Sequence, residues 1–154
     1  MKLYRIYVDT SVAGGCFDPE FRKDSLALFD LPRRGQAILL ISSVLFQEVE
    51  EAPPEIMLFI ERLPERYVEL IRTNDESSRL RDRYVAERVV TKKYRQDAMH
   101  VATATIHRAD VIVSWNFKHI VNIHRILGFN AVNARNGYPS IDIRTPTEVL
   151  PRDE

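Results

Sequence analysis

The segment YRIYVDTSVAGGCF, residues 4 to 17, begins as a buried strand and runs directly into a carboxylate. β-Branched and aromatic residues over positions 4 to 8 predict a strand, and the glycine pair that follows predicts a turn. Asp9, Thr10 and Ser11 stand between the two. A charged group at the end of a buried strand is costly unless it has a partner, so Asp9 is the first candidate for a functional side chain.

Predicted strands and helices alternate along the rest of the chain. The predicted strands are residues 4–8, 37–43 and 110–115, and the predicted helices are residues 21–35, 44–53, the first half of 55–72, 73–90, 95–109 and 117–128. Gly128 is the expected stop of the last helix, residues 67–71 fit either a helix or a strand, and residues 130–134 fit a last strand. This alternation predicts a single α/β domain over residues 1–154 with a mostly parallel sheet.

The composition limits the class of protein. A chain of 154 residues, 45% of them hydrophobic, is large enough for one domain with a buried core. Its 22 Lys and Arg balance its 22 Asp and Glu, so net charge favours neither a nucleic-acid nor a membrane partner. Cys16 is the single cysteine and excludes an internal disulfide. The sequence lacks an apolar run of roughly 20 residues and a signal-peptide pattern, so we expect a cytoplasmic protein with no membrane role.

Acidic and amide side chains follow the ends of the predicted strands. Asp9 follows the first strand, and Glu48 lies in the helix after the second. Asp97 opens the helix before the strand over residues 110–115, and Asn116 follows that strand. The carboxyl ends of parallel strands form the usual ligand-binding edge of an open sheet. Polar oxygens from four points of the chain are therefore expected at one edge.

Carboxylates gathered at one edge repel one another unless a cation neutralises them. Oxygen ligands, without a Cys/His pattern suited to zinc, favour Mg²⁺ or Mn²⁺. Such an ion activates water and stabilises a phosphoryl transition state. The pattern therefore favours metal-assisted phosphodiester hydrolysis.

Each acidic residue also has a structural interpretation. An aspartate before Thr-Ser forms local turn hydrogen bonds, which would explain Asp9. Glu48 competes with Glu50 and Glu51, any of which fits a solvated helix face. Asp97 fits the acid that the helix dipole favours at an N-terminus. The order of the carboxylates along the chain favours the site.

Basic and aromatic residues near the same edge are candidates for substrate binding. Lys92 and Lys93 precede Asp97 and fit either a phosphate-binding patch or a solvated turn. Trp115 fits either a ring that stacks on a base or ordinary packing. His100 lies one turn after Asp97, where it fits either a support for the site or a structural histidine.

Four motifs, in their order along the chain, resemble those of PIN-domain ribonucleases. They are VDTSV at the end of the first strand, SSVLFQEV with Glu48, DAMHVATA beginning at Asp97, and DVIVSWNF, which includes Asn116. The resemblance extends over about residues 4–130 and is closest to toxins of the virulence-associated protein C type from bacterial toxin–antitoxin systems. It implies a PIN-like three-layer α/β/α fold, divalent-metal-dependent endoribonuclease activity on RNA, a cognate antitoxin protein and a homodimer.

The resemblance also implies roles for individual residues. Asp9 would be the central ligand of Mg²⁺ or Mn²⁺, with Glu48 and Asp97 as the second and third acidic residues. Ser11 would orient Asp9 or bind the substrate phosphate, and Thr10 is its neighbour in the turn.

Asn116 departs from the family, which often has a further acidic residue after the corresponding strand. An amide oxygen brings no charge, so we expect one well-held ion rather than two. The departure keeps a second function open, a catalytically weakened PIN-like module for RNA binding or regulation. A phosphatase with Asp9 as nucleophile would need a second aspartate at the position of Ser11. Residues 131–154 extend beyond the resemblance, and SIDIRTP within them predicts an edge strand or a dimer arm.

Overall fold

A five-stranded parallel sheet forms the centre of the computed structural model, which describes residues 2–152. The strands are β1 (Arg5–Val8), β2 (Ile38–Ser42), β3 (Val68–Ile71), β4 (Val111–Val113) and β5 (Asp142–Arg144). They pair in the order β3-β2-β1-β4-β5, and each pair is parallel. The predicted α/β fold with a mostly parallel sheet is confirmed.

Helices cover both faces of this sheet. They are α1 (Thr10–Gly15), α2 (Arg22–Asp30), α3 (Ser43–Glu50), α4 (Pro54–Glu61), α5 (Asp75–Ala86), α6 (Arg95–Ile106), α7 (Ile123–Arg135) and α8 (Pro146–Val149). Along β1, Ile6 and Val8 join one hydrophobic core, and Tyr7 joins the other. Residues of α1 to α4 close the first core and residues of α5 to α7 close the second, which gives the three-layer α/β/α arrangement.

Local sequence signals set the ends of the helices near the carboxyl edge of the sheet. Ser42 caps α3, because its Oγ accepts a hydrogen bond from the backbone N of Leu45 at 3.2 Å. In α6, the run from Ala98 to Thr105 is buried, and its small alanines allow the helix to lie close to the sheet. Because α6 leads into the amino end of β4, the first turn of α6 lies toward the carboxyl edge.

Residues 10–15 form the helix α1, so the prediction of a turn there was wrong. Asp9 is the N-cap of this helix, and its side chain accepts a hydrogen bond from Val12 N. A Cβ on Gly15 would lie 2.4 Å from Oγ of Ser25 and 2.8 Å from Nε1 of Trp115. The glycine therefore serves close packing of α1 rather than a turn.

Residues 130–134 belong to α7, so the prediction of a last strand there was wrong. The helix begins at Ile123, later than predicted, and continues through Gly128 instead of ending there. A Cβ on Gly128 would lie 2.9 Å from Cγ1 of Val89, so this glycine allows α7 to pack against the chain before α6. Close packing against Val89 therefore explains the glycine at position 128, which the sequence suggested as the end of a helix.

Two segments left open by the sequence are strands. Residues 68–71, within the ambiguous stretch, form β3 at one edge of the sheet. Residues 142–144, within SIDIRTP, form β5 at the other edge, which agrees with the edge-strand alternative. None of the helices within residues 2–152 has the length and apolar character of a membrane span.

Candidate active site

Asp9 lies at the carboxyl end of the central strand β1 and is 3% exposed. Its Oδ1 accepts a hydrogen bond from Ser11 Oγ at 2.6 Å, and its Oδ2 accepts one from Ser114 Oγ at 2.5 Å. Burial raises the pKa of Asp9, against the opposing effects of the His100 charge and these hydrogen bonds. The hydroxyl groups of Ser11, in α1, and Ser114, after β4, thus orient the Asp9 carboxylate, whose ionisation burial disfavours.

Glu48 reaches the same edge from the second turn of α3. Its Oε1 accepts a hydrogen bond from Thr10 Oγ1 at 2.9 Å and lies 2.5 Å from Nε2 of His100. Desolvation by itself would raise the pKa of Glu48, but the hydrogen bond and charge of His100, with the bond from Thr10, lower it. Thr10 and His100 therefore hold Glu48 in its ionised form.

His100 connects Glu48 to the core of the protein. The ring is 2% exposed, and its Nδ1 lies 2.6 Å from Oη of Tyr7. Tyr7 is fully buried and donates a hydrogen bond to Ser42 Oγ at 2.9 Å. A continuous hydrogen-bonded chain thus runs from Ser42 through Tyr7 and His100 to Glu48.

Asp97 lies in the first turn of α6 and is partly buried. Burial raises the pKa of Asp97, and the negative charges of Asp9 and Glu48 act in the same direction, whereas His119 and His100 oppose them. Its carboxylate has no hydrogen bond or ion pair with another side chain among residues 2–152. The charges of Asp9 and Glu48 therefore reach Asp97, whose own carboxylate oxygens are not engaged by these residues.

The donor chemistry of this edge fits Mg²⁺ or Mn²⁺, because Asp9, Glu48 and Asp97 offer carboxylate oxygens and the His100 nitrogens are both engaged. As the side chains stand within residues 2–152, no three His, Cys, Asp or Glu residues are grouped so that they could hold a metal ion. Mg²⁺ keeps several water ligands and needs one or two carboxylates. An ion at this edge would therefore be held, as the side chains stand, by one or two carboxylates and by water.

Trp115 and Asn116 follow Ser114, the residue after β4 that contacts Asp9, but their own side chains contact other residues. Asn116 Oδ1 accepts a hydrogen bond from His119 N at 3.0 Å, so it caps the turn after β4.

The ring of Trp115 stacks on the ring of Phe21 with 4.5 Å between centroids, and its Nε1 donates a hydrogen bond to Ser25 Oγ in α2. Its backbone N donates to Ser11 Oγ at 2.9 Å. This geometry agrees with the packing interpretation of Trp115, and base stacking by Trp115 and a catalytic part for Asn116 remain predictions.

Lys92 and Lys93 are exposed in a short 3₁₀ turn immediately before α6. The Lys93 ammonium lies 5.6 Å from the ring centroid of Tyr94, which stacks on His119 at 3.7 Å. Both lysines are thus exposed and lie within five residues of Asp97 in the sequence. Phosphate binding by them remains a prediction.

Two residues with direct contacts in the site received no role from the sequence. Ser114 contacts Asp9 from the end of β4, and a polar residue directly after a buried strand was the available signal. Tyr7 carried no signal, because an aromatic residue inside a predicted strand is expected to be core. Its hydroxyl becomes informative only when His100 is known to lie beside it.

Comparison with known proteins finds no matching protein-family model and no matching curated protein. Solved structures do match. VapBC2 from Rickettsia felis, bound to a DNA fragment from its promoter, has a TM-score of 0.56 at 13% identity, covering 92% of this chain and 98% of that chain. FitAcB from Neisseria gonorrhoeae has a TM-score of 0.54 at 15% identity, covering 94% and 99%. FitAB bound to the IR36 DNA fragment has a TM-score of 0.53 at 13% identity, covering 97% and 98%.

The sheet order, the layers and these similarities define a PIN-like α/β/α fold. VapBC2 and FitAcB are among the solved structures that share this fold. At 13% to 15% identity the likeness shows the fold alone. The resemblance to PIN-domain toxins is confirmed at that level.

Proposed function

We propose that this protein is a divalent-metal-dependent endoribonuclease that hydrolyses RNA phosphodiester bonds. The observation that carries the proposal is the placement of Asp9, Glu48 and Asp97 toward the carboxyl edge of a PIN-like sheet, where burial and the charges of Asp9 and Glu48 raise the pKa of Asp97. Ligands of open parallel sheets usually bind at the carboxyl ends of the strands, and carboxylate oxygens favour a hard cation. RNA as substrate, and Mg²⁺ or Mn²⁺ as cofactor, rest on this chemistry together with the family resemblance.

A bound Mg²⁺ or Mn²⁺ supplies a Lewis acid and a water molecule with lowered pKa. The residues of this chain prepare the site for it. Ser11 and Ser114 hold both oxygens of Asp9 in place, while Thr10 and His100 hold Glu48. A preoriented carboxylate loses less conformational entropy when a ligand binds.

Substrate binding is proposed for the surface around the carboxylates. Lys92 and Lys93, both exposed, would attract the phosphate backbone. Ser11, which already contacts Asp9, would lie beside the reacting phosphate, with Thr10 next to it. Trp115 would take part only if its ring leaves the stack on Phe21.

We further propose a toxin role, with a cognate antitoxin protein as partner, in the cytoplasm. The support is the shared fold with VapBC2 and FitAcB. A homodimer is proposed from the family resemblance.

A second candidate function is an RNA-binding or regulatory module with weak catalysis. Two observations favour it: Asn116 uses its carbonyl oxygen to cap a turn, and no three His, Cys, Asp or Glu residues within residues 2–152 are grouped so that they could hold a metal ion. Both would lower the affinity for an ion.

Cleavage of a single-stranded RNA in Mn²⁺ tests the proposal, and Asp9→Asn should abolish it because the central carboxylate is lost. Asp110→Asn is the matched control, since Asp110 stands at the amino end of β4 and accepts a backbone hydrogen bond from Arg5 N at 2.8 Å. It should cleave like the wild type. Cleavage that survives both Asp9→Asn and a chelator contradicts the proposal, and RNA binding without cleavage by the wild type favours the second candidate.

A further inference from the structure

We propose that Tyr7 and His100 act as a positioning pair, which holds the Glu48 carboxylate in the orientation that the divalent ion requires. The inference rests on the proposed function, because it assigns the pair to the metal site of that function. Tyr7 comes from β1, His100 from α6 and Glu48 from α3, so the pair connects three elements. We infer that it decides how well the ion is held.

Both nitrogens of the His100 ring are occupied. Nδ1 lies 2.6 Å from Tyr7 Oη, and Nε2 lies 2.5 Å from Glu48 Oε1. The Tyr7 and His100 rings meet edge to face, with 5.7 Å between centroids. Since a carboxylate oxygen can only accept, Nε2 donates its proton toward Glu48. His100 therefore offers neither nitrogen to an ion and acts through Glu48, as a positioning residue.

Glu48 keeps one carboxylate oxygen for the ion. Thr10 Oγ1, at 2.9 Å, and His100 Nε2 both bond to Oε1. Oε2 has no hydrogen bond with residues 2–152. Because Oε1 is held from two sides, rotation of the carboxylate is restricted and the direction of Oε2 is set. Loss of such outer partners of a metal ligand typically costs about 10- to 100-fold in metal affinity.

Tyr7 anchors the pair in the core. A hydroxyl group inside a hydrophobic core is costly unless it is hydrogen-bonded, and Tyr7 is fully buried. Its hydroxyl contacts His100 and donates to Ser42 Oγ at 2.9 Å. The same Ser42 Oγ caps α3, the helix that carries Glu48. The position of His100 is thereby tied to the start of the helix whose glutamate it holds.

The experiment is Mn²⁺ titration of the purified protein by isothermal calorimetry, with the variants Tyr7→Phe and His100→Gln. Tyr84→Phe is the matched control, because Tyr84 is also fully buried and its hydroxyl donates to Asn133, outside the site. Circular dichroism in chelator checks that each variant is folded.

We expect Tyr7→Phe and His100→Gln each to weaken Mn²⁺ binding by about 10- to 100-fold, and Tyr84→Phe to leave it unchanged. Excess Mn²⁺ should restore RNA cleavage by Tyr7→Phe with the KM for RNA unchanged. Because an ion that binds only the folded state would also rescue a destabilised variant, the circular dichroism measurement in chelator is what excludes a folding defect.

A folded Tyr7→Phe variant that binds Mn²⁺ like the wild type overturns the inference, and so does an equal loss of binding in Tyr84→Phe. If His100→Gln does not fold, Tyr7→Phe decides alone. A wild-type protein that binds no Mn²⁺ overturns the proposed function as well, whereas wild-type binding with unchanged variants overturns this inference only.

Discussion

A buried aspartate at a strand end combines two opposing requirements. Asp9 is buried at the end of β1, where it contacts Ser11 and Ser114. Burial raises the pKa of Asp9 and so disfavours its ionised form. The hydroxyls of Ser11 and Ser114 reduce that cost, since hydrogen bonds favour the ionised form. The ionised form of Asp9 thus depends on the hydroxyl groups of Ser11 and Ser114.

Removal of one carboxylate should stabilise the protein in the absence of metal. The pKa of Asp97 is raised in the folded state by burial and by Asp9 and Glu48, so folding favours its protonated form. That contribution is complete below the unfolded pKa and is lost as pH rises through the folded pKa. At neutral pH in chelator we therefore expect Asp97→Asn to gain stability, by less than about 1 kcal/mol because solvent screens a partly exposed group.

Thermal unfolding in EDTA at several pH values measures this effect. The gain of Asp97→Asn over the wild type should appear above the folded pKa and vanish at acid pH, where Asp97 is protonated. A melting temperature equal to or below that of the wild type at neutral pH would contradict a crowded acidic edge.

At the residue scale, the sequence pointed to the carboxylates and to Ser11 and His100 as candidate supports, but not to Ser114 or Tyr7. Asp9 and Asp97 were identifiable because each adjoins a predicted strand or helix end, where function and local structure coincide. Tyr7 was not, because its role depends on a contact with His100, 93 positions away in the sequence. Local patterns carry no information on such a pair.

At the scale of elements, α1 shows how a glycine pair can be misinterpreted. Gly14 and Gly15 lie in the same helix, but a Cβ on Gly14 would meet nothing within 4 Å, whereas one on Gly15 would collide with Ser25 and Trp115. The two glycines are therefore expected to respond oppositely to substitution.

The variants Gly15→Ala and Gly14→Ala form a matched pair in one helix. Overpacking by Gly15→Ala should destabilise the protein by about 1–3 kcal/mol. Gly14→Ala should stabilise it by about 0.5–1 kcal/mol, because alanine loses less backbone entropy in a helix. Urea unfolding of both variants measures the difference, and equal stabilities would refute close packing of α1 against α2 and Trp115.

Element type was predictable where periodicity and caps agreed, as for α3 after Ser42 and α5 after Asn74. The end of α7 was not predictable. Glycine often follows the last residue of a helix, but Gly128 lies inside α7, where it packs closely against Val89. Short strands such as β3 need their neighbour in the sheet before they can be distinguished from helix.

At the scale of the whole molecule, the alternation of strands and helices predicted the class of fold, and the order of the strands required the structure. The order β3-β2-β1-β4-β5 places β1 at the centre of the sheet, with α3 packed on one face and α6 on the other, so Glu48 and Asp97 come from opposite sides of the strand that carries Asp9. The strand order thus brings together residues that are far apart in the sequence. This is why the four motifs indicated the fold better as an ordered set than any one of them alone.

The central claim is that Asp9, Glu48 and Asp97 hold a divalent ion at the carboxyl edge of this sheet. Its most direct test is a crystal structure of the protein soaked in MnCl₂, with anomalous differences recorded at a wavelength where manganese scatters strongly. The account predicts one anomalous peak about 2.1 Å from carboxylate oxygens of this group, with water completing the coordination. A fully soaked crystal with no peak at this edge, or with manganese bound only elsewhere, would contradict it.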